Sequence, residues 1–197
     1  MIYPASYDIT ILQNSTFLMP LRVALSQQKL DSITVSGTTL VFEADCHELE
    51  ANDKVIFTAS GIPSYVPCNL DLHAVYYVLS SGLTTDTFRV ATVPSGAAIT
   101  APASASGTFH VARPVNLTGF TADADLFNLS TDQQQATFTC VITEPLDGAL
   151  EVSMTPAVSS GLEAGRYGYD VSLTSGGGER YYWMQGIATV SRTYSRN

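Results

Sequence analysis

The chain has 197 residues and a mass of 21.1 kDa, room for one large or two small domains, each with its own core. Hydrophobic types make up 45% and charged types 14%, which excludes a disordered chain, and 18 acidic against 9 basic residues give a net charge of −9 that repels phosphate backbones, so no nucleic-acid partner is expected. No stretch approaches the roughly 18 to 20 apolar residues of a membrane span, and the start Met1–Ser6 lacks the basic and apolar regions of a signal peptide, so the expectation is a soluble protein with no membrane partner, not exported by that route.

Period-two alternation dominates the chain. Tyr7–Leu12 and Thr16–Val23 are two runs of β-branched and bulky residues separated by the turn residues Gln13-Asn14-Ser15. Pro20 cannot donate to a ladder, so the second run belongs at a sheet edge or carries a bulge. Further strands are predicted at Leu40–Ala44, Lys54–Ala59, Ala74–Leu79, Asp86–Ala91 and Gly107–Ala112. The pattern continues at Phe120–Phe127, Ala136–Thr143, Ala149–Thr155, Arg166–Thr174 and Tyr181–Val190, the last two joined by a hairpin with a flexible tip at Ser175–Gly178. Only Pro156–Leu162, with proline first and glycine late, reads as a helical turn. The fold class is therefore all-β, with the turn spacing of sandwiches and small barrels.

Composition changes near residues 32 and 112. The stretch between them holds the acidic cluster Glu43, Asp45, Glu48, Glu50 and Asp53 and the small-residue runs Pro94–Ala98 and Ala101–Gly107. The reading is an inserted small β domain, a sandwich or barrel spanning 32–111, within a discontinuous outer domain of 1–31 and 112–197. An insertion of this kind requires its ends, near Leu30 and Arg113, to lie close together.

Four segments of the outer pieces, Tyr7–Ile11 with Thr16-Phe17, Val115–Ala122, Gly165–Val171, and Gln185-Gly186 leading to Val190, resemble the immunoglobulin-like domain at the front of phage baseplate upper proteins and of many short phage virion proteins. In that family the first strand pair runs almost directly into the Asn-Leu-Thr-Gly segment, here Asn116–Gly119, whereas this chain interposes some 80 residues. The middle piece is similar to a recurrent module of phage tail and fibre proteins through Cys46–Leu49, Asn52–Val55, Gly61–Pro63, Tyr76–Val78, Thr85–Val90 and Gly96–Ile99, with His-Glu-Leu and Asn-Asp where that module has His-Gly-Leu and Gly-Asp. The resemblance implies an immunoglobulin-like sandwich interrupted by a second β module, and a structural role in a tailed-phage virion.

Little in the chain resembles a catalytic centre. The acidic cluster with His47 lacks the spacing of a calcium loop and is assigned no ligand. Asp123 and Asp125 share one strand face and are read as a solvent-facing edge. His47, His73 and His110 are scattered, Ser175–Gly178 lies between two strands without the helix terminus that binds phosphate, and Cys46, Cys68 and Cys140 show neither zinc nor disulfide spacing. No enzyme activity, cofactor or metal is expected.

Aromatic residues point to contacts instead. Of Tyr181 and Tyr182, neighbours on a strand, one is expected in the core and the other at the surface. The interface candidates are Tyr3, Tyr181, Tyr182, Trp183, Arg192, Tyr194 and Arg196, the last three forming a locally basic tail in an acidic chain. The partners expected are other virion subunits and further copies of the chain in a symmetric particle. An alternative reading, a glycan-binding module of a tail fibre, places the sugar on Tyr65 or Tyr76 near Asn69 and Asp71.

Overall fold

The computed structural model describes residues 5–72 and 74–193; Tyr3, His73, Tyr194 and Arg196 lie outside the described residues. The chain first lays down β1 (Ala5–Ser6), β2 (Ile9–Leu12) and β3 (Phe17–Arg22). Eight strands follow: β4 (Gln28–Lys29), β5 (Ser32–Ser36), β6 (Thr39–Glu43), β7 (Lys54–Tyr65), β8 (Val75–Val78), β9 (Thr87–Phe88), β10 (Val90–Ala91) and β11 (Ser106–Ala112). The remainder holds β12 (Thr121–Asn128), β13 (Gln134–Thr137), β14 (Thr139–Glu144), β15 (Ala149–Met154), β16 (Gly165–Thr174) and β17 (Arg180–Ser191), with a 3₁₀ turn at Pro145–Asp147 and one short helix, α1 (Pro156–Ser160).

These elements form two compact units, one of Met1–Val23 with Asn116–Asn197 and one of Ala24–Val115. The second unit is wider than the expected 32–111, because its first strand pairs within it: Lys29 stands opposite His110 and Gln28 opposite Val111. The Leu25 N–H donates to the Arg113 carbonyl at 2.8 Å and Ala24 bridges to Pro114, so the two ends of the inserted segment are held side by side. The β4 and β5 strands were not among the predicted elements, since two-residue β4 has no periodicity and Ser-Ile-Thr-Val-Ser of β5 falls where the composition changes.

The first unit is an immunoglobulin-like sandwich. One sheet runs β13-β12-β16-β17, with β1 and then β2 pairing in parallel with β17; the other runs β14-β15-β3. In immunoglobulin order these are A′-G-F-C-C′ and B-E-D, and the inserted unit occupies the connection between strands B and C. Pro20 lies in β3, an edge strand paired only with β15, where its missing N–H costs no ladder bond. The predicted strand Ala136–Thr143 is divided at Phe138. Thr137 pairs with Asp125 in one sheet and Thr139 with Ser153 in the other, while buried Phe138 packs 5.7 Å from Phe17 between them. The core-facing alternation is regular in β2 (Ile9, Ile11), β12 (Ala124, Leu126) and β16 (Tyr167, Tyr169, Val171, Leu173). Between β3 and β12, the Asn116 side chain accepts from the Thr118 N–H at 2.9 Å, Leu117 is buried, and Gly119 supplies a φ of +79°.

Tyr169 locks the first strand down: its hydroxyl donates to the Tyr7 carbonyl at 2.6 Å, and burial, with Asp8 and Tyr7 adding, pushes the phenol up to about 12. Burial, with Asp123 and Asp125 adding, likewise pushes the Cys140 thiol up to about 11. Both groups keep their proton longer folded than unfolded, where they release it near 10 and 9. Their contribution is therefore complete below pH 9 and is lost as pH rises through 12. Denaturant titrations from pH 8 to 12 should show this decline, and Tyr169→Phe should flatten its upper half while costing about 1 kcal/mol at neutral pH.

The second unit pairs a sheet β10-β8-β7-β11-β4 with a sheet β5-β6-β9. Its core is organised by three nearly parallel rings, Phe42 on β6, Phe57 on β7 and Phe88 on β9. Phe42 lies 4.6 Å from Phe57 and 5.3 Å from Phe88, and Tyr76 closes on Phe57 at 5.7 Å. All four side chains are almost wholly buried.

Candidate functional site

The aromatic cluster of the first unit sits at a fault in the sheet. Val171 pairs with Met184 but Ser172 pairs with Tyr182, so Trp183 is the extra residue of a β-bulge. Tyr181 stands opposite core-facing Leu173 yet stays 37% exposed, and Tyr182 is 49% exposed. The expectation that one tyrosine enters the core is thus corrected: the strand runs to the rim of the sandwich, and both rings remain at the surface. The Tyr181 hydroxyl donates to Glu179 at 2.6 Å, a bond that raises its pKa, and the Arg180 guanidinium lies 5.4 Å over the Tyr182 ring. Arg180 Nε also donates to the buried Ser172 hydroxyl at 3.0 Å. Trp183 buries its Nε1–H with no acceptor among the described residues. Arg192 is exposed just past the end of β17.

The outer face of the same sheet is acidic. Asp125 of β12 stands directly opposite Asp170 of β16, a like-charge cross-strand pair. Burial, then Asp125, raises the Asp170 pKa, while Arg180 opposes the shift. Asp125 is satisfied by Gln134 Nε2 at 2.7 Å and the Thr137 hydroxyl at 2.9 Å. The expectation that Asp123 and Asp125 mark a free edge is corrected, since β13 pairs onto β12 and makes it an interior strand. Beside this pair lies an open groove of about 440 Å³. Gly168 is among its lining residues, Phe127, Leu129 and Ile187 are its apolar parts and Asp8, Asp132 and Asp170 its carboxylates; among the described residues no lysine or arginine lines it. Asp8 is oriented by accepting the Ile187 N–H at 2.9 Å. Sequence reading missed this groove, because its residues come from four separated segments.

In the second unit, the proposed sugar platform does not assemble. Tyr76 is 1% exposed, and its hydroxyl accepts the Asp71 N–H at 2.7 Å. Period-two alternation turns Tyr76 inward and Tyr77 outward, where Lys54 lies 5.8 Å from the Tyr77 ring. Tyr65 is 37% exposed at the end of β7, and Asn69 spends its amide on the Thr100 carbonyl at 2.8 Å. His47 is a buried structural residue: Nδ1 accepts from the Leu49 N–H, Nε2 lies 3.3 Å from the Thr87 carbonyl, and the ring meets Phe88 edge-on. Asp45, Cys46 and Asp86 bring three donor atoms within 4.8 Å of one another, all exposed. That is fewer donors than the six to eight oxygens calcium takes. Asp45 foremost, with Asp86, raises the Cys46 thiol pKa, the opposite of what a nucleophilic thiolate needs.

No protein-family model matches the chain, and no curated protein matches it either.

Proposed function

We propose that the chain is a non-enzymatic structural subunit of a tailed-bacteriophage virion, an adaptor or decoration unit of the tail, baseplate, neck or fibre-attachment region that holds other subunits in a symmetric assembly. One observation carries this reading: a second complete β unit, with its own aromatic core, is spliced into the B–C connection of an immunoglobulin-like sandwich, with the splice ends hydrogen-bonded to each other. Two rigid bodies on one chain suit a part that spaces and joins neighbours. The segments that carry the resemblance to phage virion domains also have structural duties here, Asn116–Gly119 as a side-chain-capped turn and Gly186 as a crossing point for the first strand.

Three titratable groups that chemistry could draw on hold the fold instead. His47 has contacts at both ring nitrogens, Asp125 accepts from two side chains and Asp8 orients a backbone amide. What the first unit offers outward includes the rings of Tyr181 and Tyr182, a residue type enriched at protein contacts.

The test is to locate the chain in intact particles. Mass spectrometry and immunogold labelling of purified virions should find it at a fixed copy number, at one position. Its absence from particles, or turnover of a small compound by the purified chain traced to a defined pocket, would refute the proposal.

A further inference from the structure

We propose that β14 is a pairing edge, along which a second copy of this chain adds its own β14 antiparallel, about a two-fold axis at Val141. β14 ends its three-stranded sheet and is bonded to β15 on one side only. Among the described residues, no backbone hydrogen bond outside that ladder reaches Thr139–Thr143. An uncovered edge of this kind is a row of N–H and C=O groups that a further strand can take up. Of the other edge strands, β1, β2, β4, β9, β10 and β13 have four residues or fewer. β3 is as long as β14 but carries Pro20, which has no N–H to give, and β5 has its Ile33 carbonyl taken by the Ala105 N–H at 3.1 Å. β14 holds no proline, lysine or arginine. Its single charge, Glu144, is at the last position, 3.7 Å from Arg22, and its register shift with β15 falls at that same end, past Ile142.

The strand also matches itself. In Thr139-Cys140-Val141-Ile142-Thr143, antiparallel pairing about Val141 sets Thr139 opposite Thr143 of the second copy, Cys140 opposite Ile142, and Val141 opposite its own counterpart. Thr139, Val141 and Thr143 are exposed while Cys140 and Ile142 are half-buried, so every residue meets one from the same face of the sheet. Threonine pairs and β-branched pairs directly opposite each other stabilise an antiparallel ladder. No like charges stand opposite within this stretch, in a chain whose net charge of −9 otherwise drives copies apart. That self-match favours a second copy over the strand of a different protein. The two three-stranded sheets join into one continuous sheet, and because the contact is isologous it closes as a dimer.

The contact rests on the edge itself, and dimerisation in solution is read separately from incorporation into particles, so it can fail while the virion reading stands. Sedimentation velocity of the full chain over a concentration series should show a monomer–dimer equilibrium that goes no further. Val141→Lys sets two ammonium groups against each other on the axis and should weaken the dimer about tenfold, whereas Val141→Thr should preserve it. Val141 is 49% exposed, and Trp183 fluorescence with circular dichroism confirms that each variant is folded. In a chain carrying Cys46→Ser, Cys68→Ser and Cys140→Ala, Val141→Cys should be joined to its counterpart by a short bis-maleimide. Leu18→Cys, exposed on β3, should not, since five strand spacings, about 24 Å, separate it from its counterpart. A monomer at every concentration overturns the pairing. So does linkage at Leu18→Cys equal to that at Val141→Cys, or association that survives Val141→Lys but is lost on Ile62→Asp, at the 98% exposed Ile62 of the second unit.

Discussion

Replacing Gly186 by alanine is expected to detach the first strand and destabilise the immunoglobulin-like unit by about 4 kcal/mol. A Cβ at this position would lie 2.0 Å from the Tyr7 carbonyl oxygen and 2.8 Å from its carbon, both backbone atoms with no rotamer in which to escape. Three hydrogen bonds depend on that approach: Tyr7 N–H to the Gln185 carbonyl at 3.0 Å, Tyr169 hydroxyl to the Tyr7 carbonyl at 2.6 Å, and Ile187 N–H to Asp8 at 2.9 Å. At about 1 kcal/mol each, with 1–3 kcal/mol for overpacking, the sum corresponds to a melting shift of roughly 15 °C or more in a unit of this size. Gly168→Ala is the control. The added methyl meets only the end of the exposed Leu129 side chain, at 3.2 Å, and should cost less than about 1 kcal/mol. Calorimetry with amide exchange of Tyr7 and Ile187 decides the matter: unchanged melting and unchanged protection in the Gly186 variant would contradict the close crossing.

Phe57→Ala should cost the second unit about 3–5 kcal/mol, because Phe57 lies between Phe42 and Tyr76 with no exposed atom to relax into the space. The first unit should respond less, and for a different reason. While the second unit is folded, the Leu25–Arg113 hydrogen bond holds the ends of the connection together. Once it unfolds, β3 and β12 are joined by a loose loop of roughly 100 residues, whose length-dependent closure cost is about 4 kcal/mol. Trp183 is the chain's single tryptophan and belongs to the first unit, so its fluorescence follows that unit alone, whereas far-ultraviolet circular dichroism follows both. The expected result is a dichroism transition at lower denaturant that precedes the fluorescence transition. Coincident transitions, shifted equally, would mean that the two units do not unfold as separate cores.

Both predictions start from residues whose types are plain in the sequence but whose neighbours are not. Gly186 was legible as part of a recurring segment; that it lies beneath Tyr7 depends on β1 and β2 pairing in parallel with β17, across some 180 positions of chain. Tyr76 and Tyr77 read alike, and only the register of β8 turns one into the core. Tyr181 and Tyr182 obey the alternation rule, yet the rule does not say where a sandwich ends, and both rings lie beyond the point where burial is available.

Period-two alternation, turn residues and the proline in β3 determined that this chain is all-β and which faces of β2, β12 and β16 point inward, because a half-buried strand imposes its periodicity locally. The change of composition near residues 32 and 112 marked an interruption of the outer domain. Tertiary structure decided the rest: the boundaries at Ala24 and Val115, the division of one predicted strand between two sheets at Phe138, and the acidic groove over Gly168. Each of these arises from pairing between segments distant in sequence, and the free energy of such pairing belongs to both partners at once, so neither segment alone encodes it.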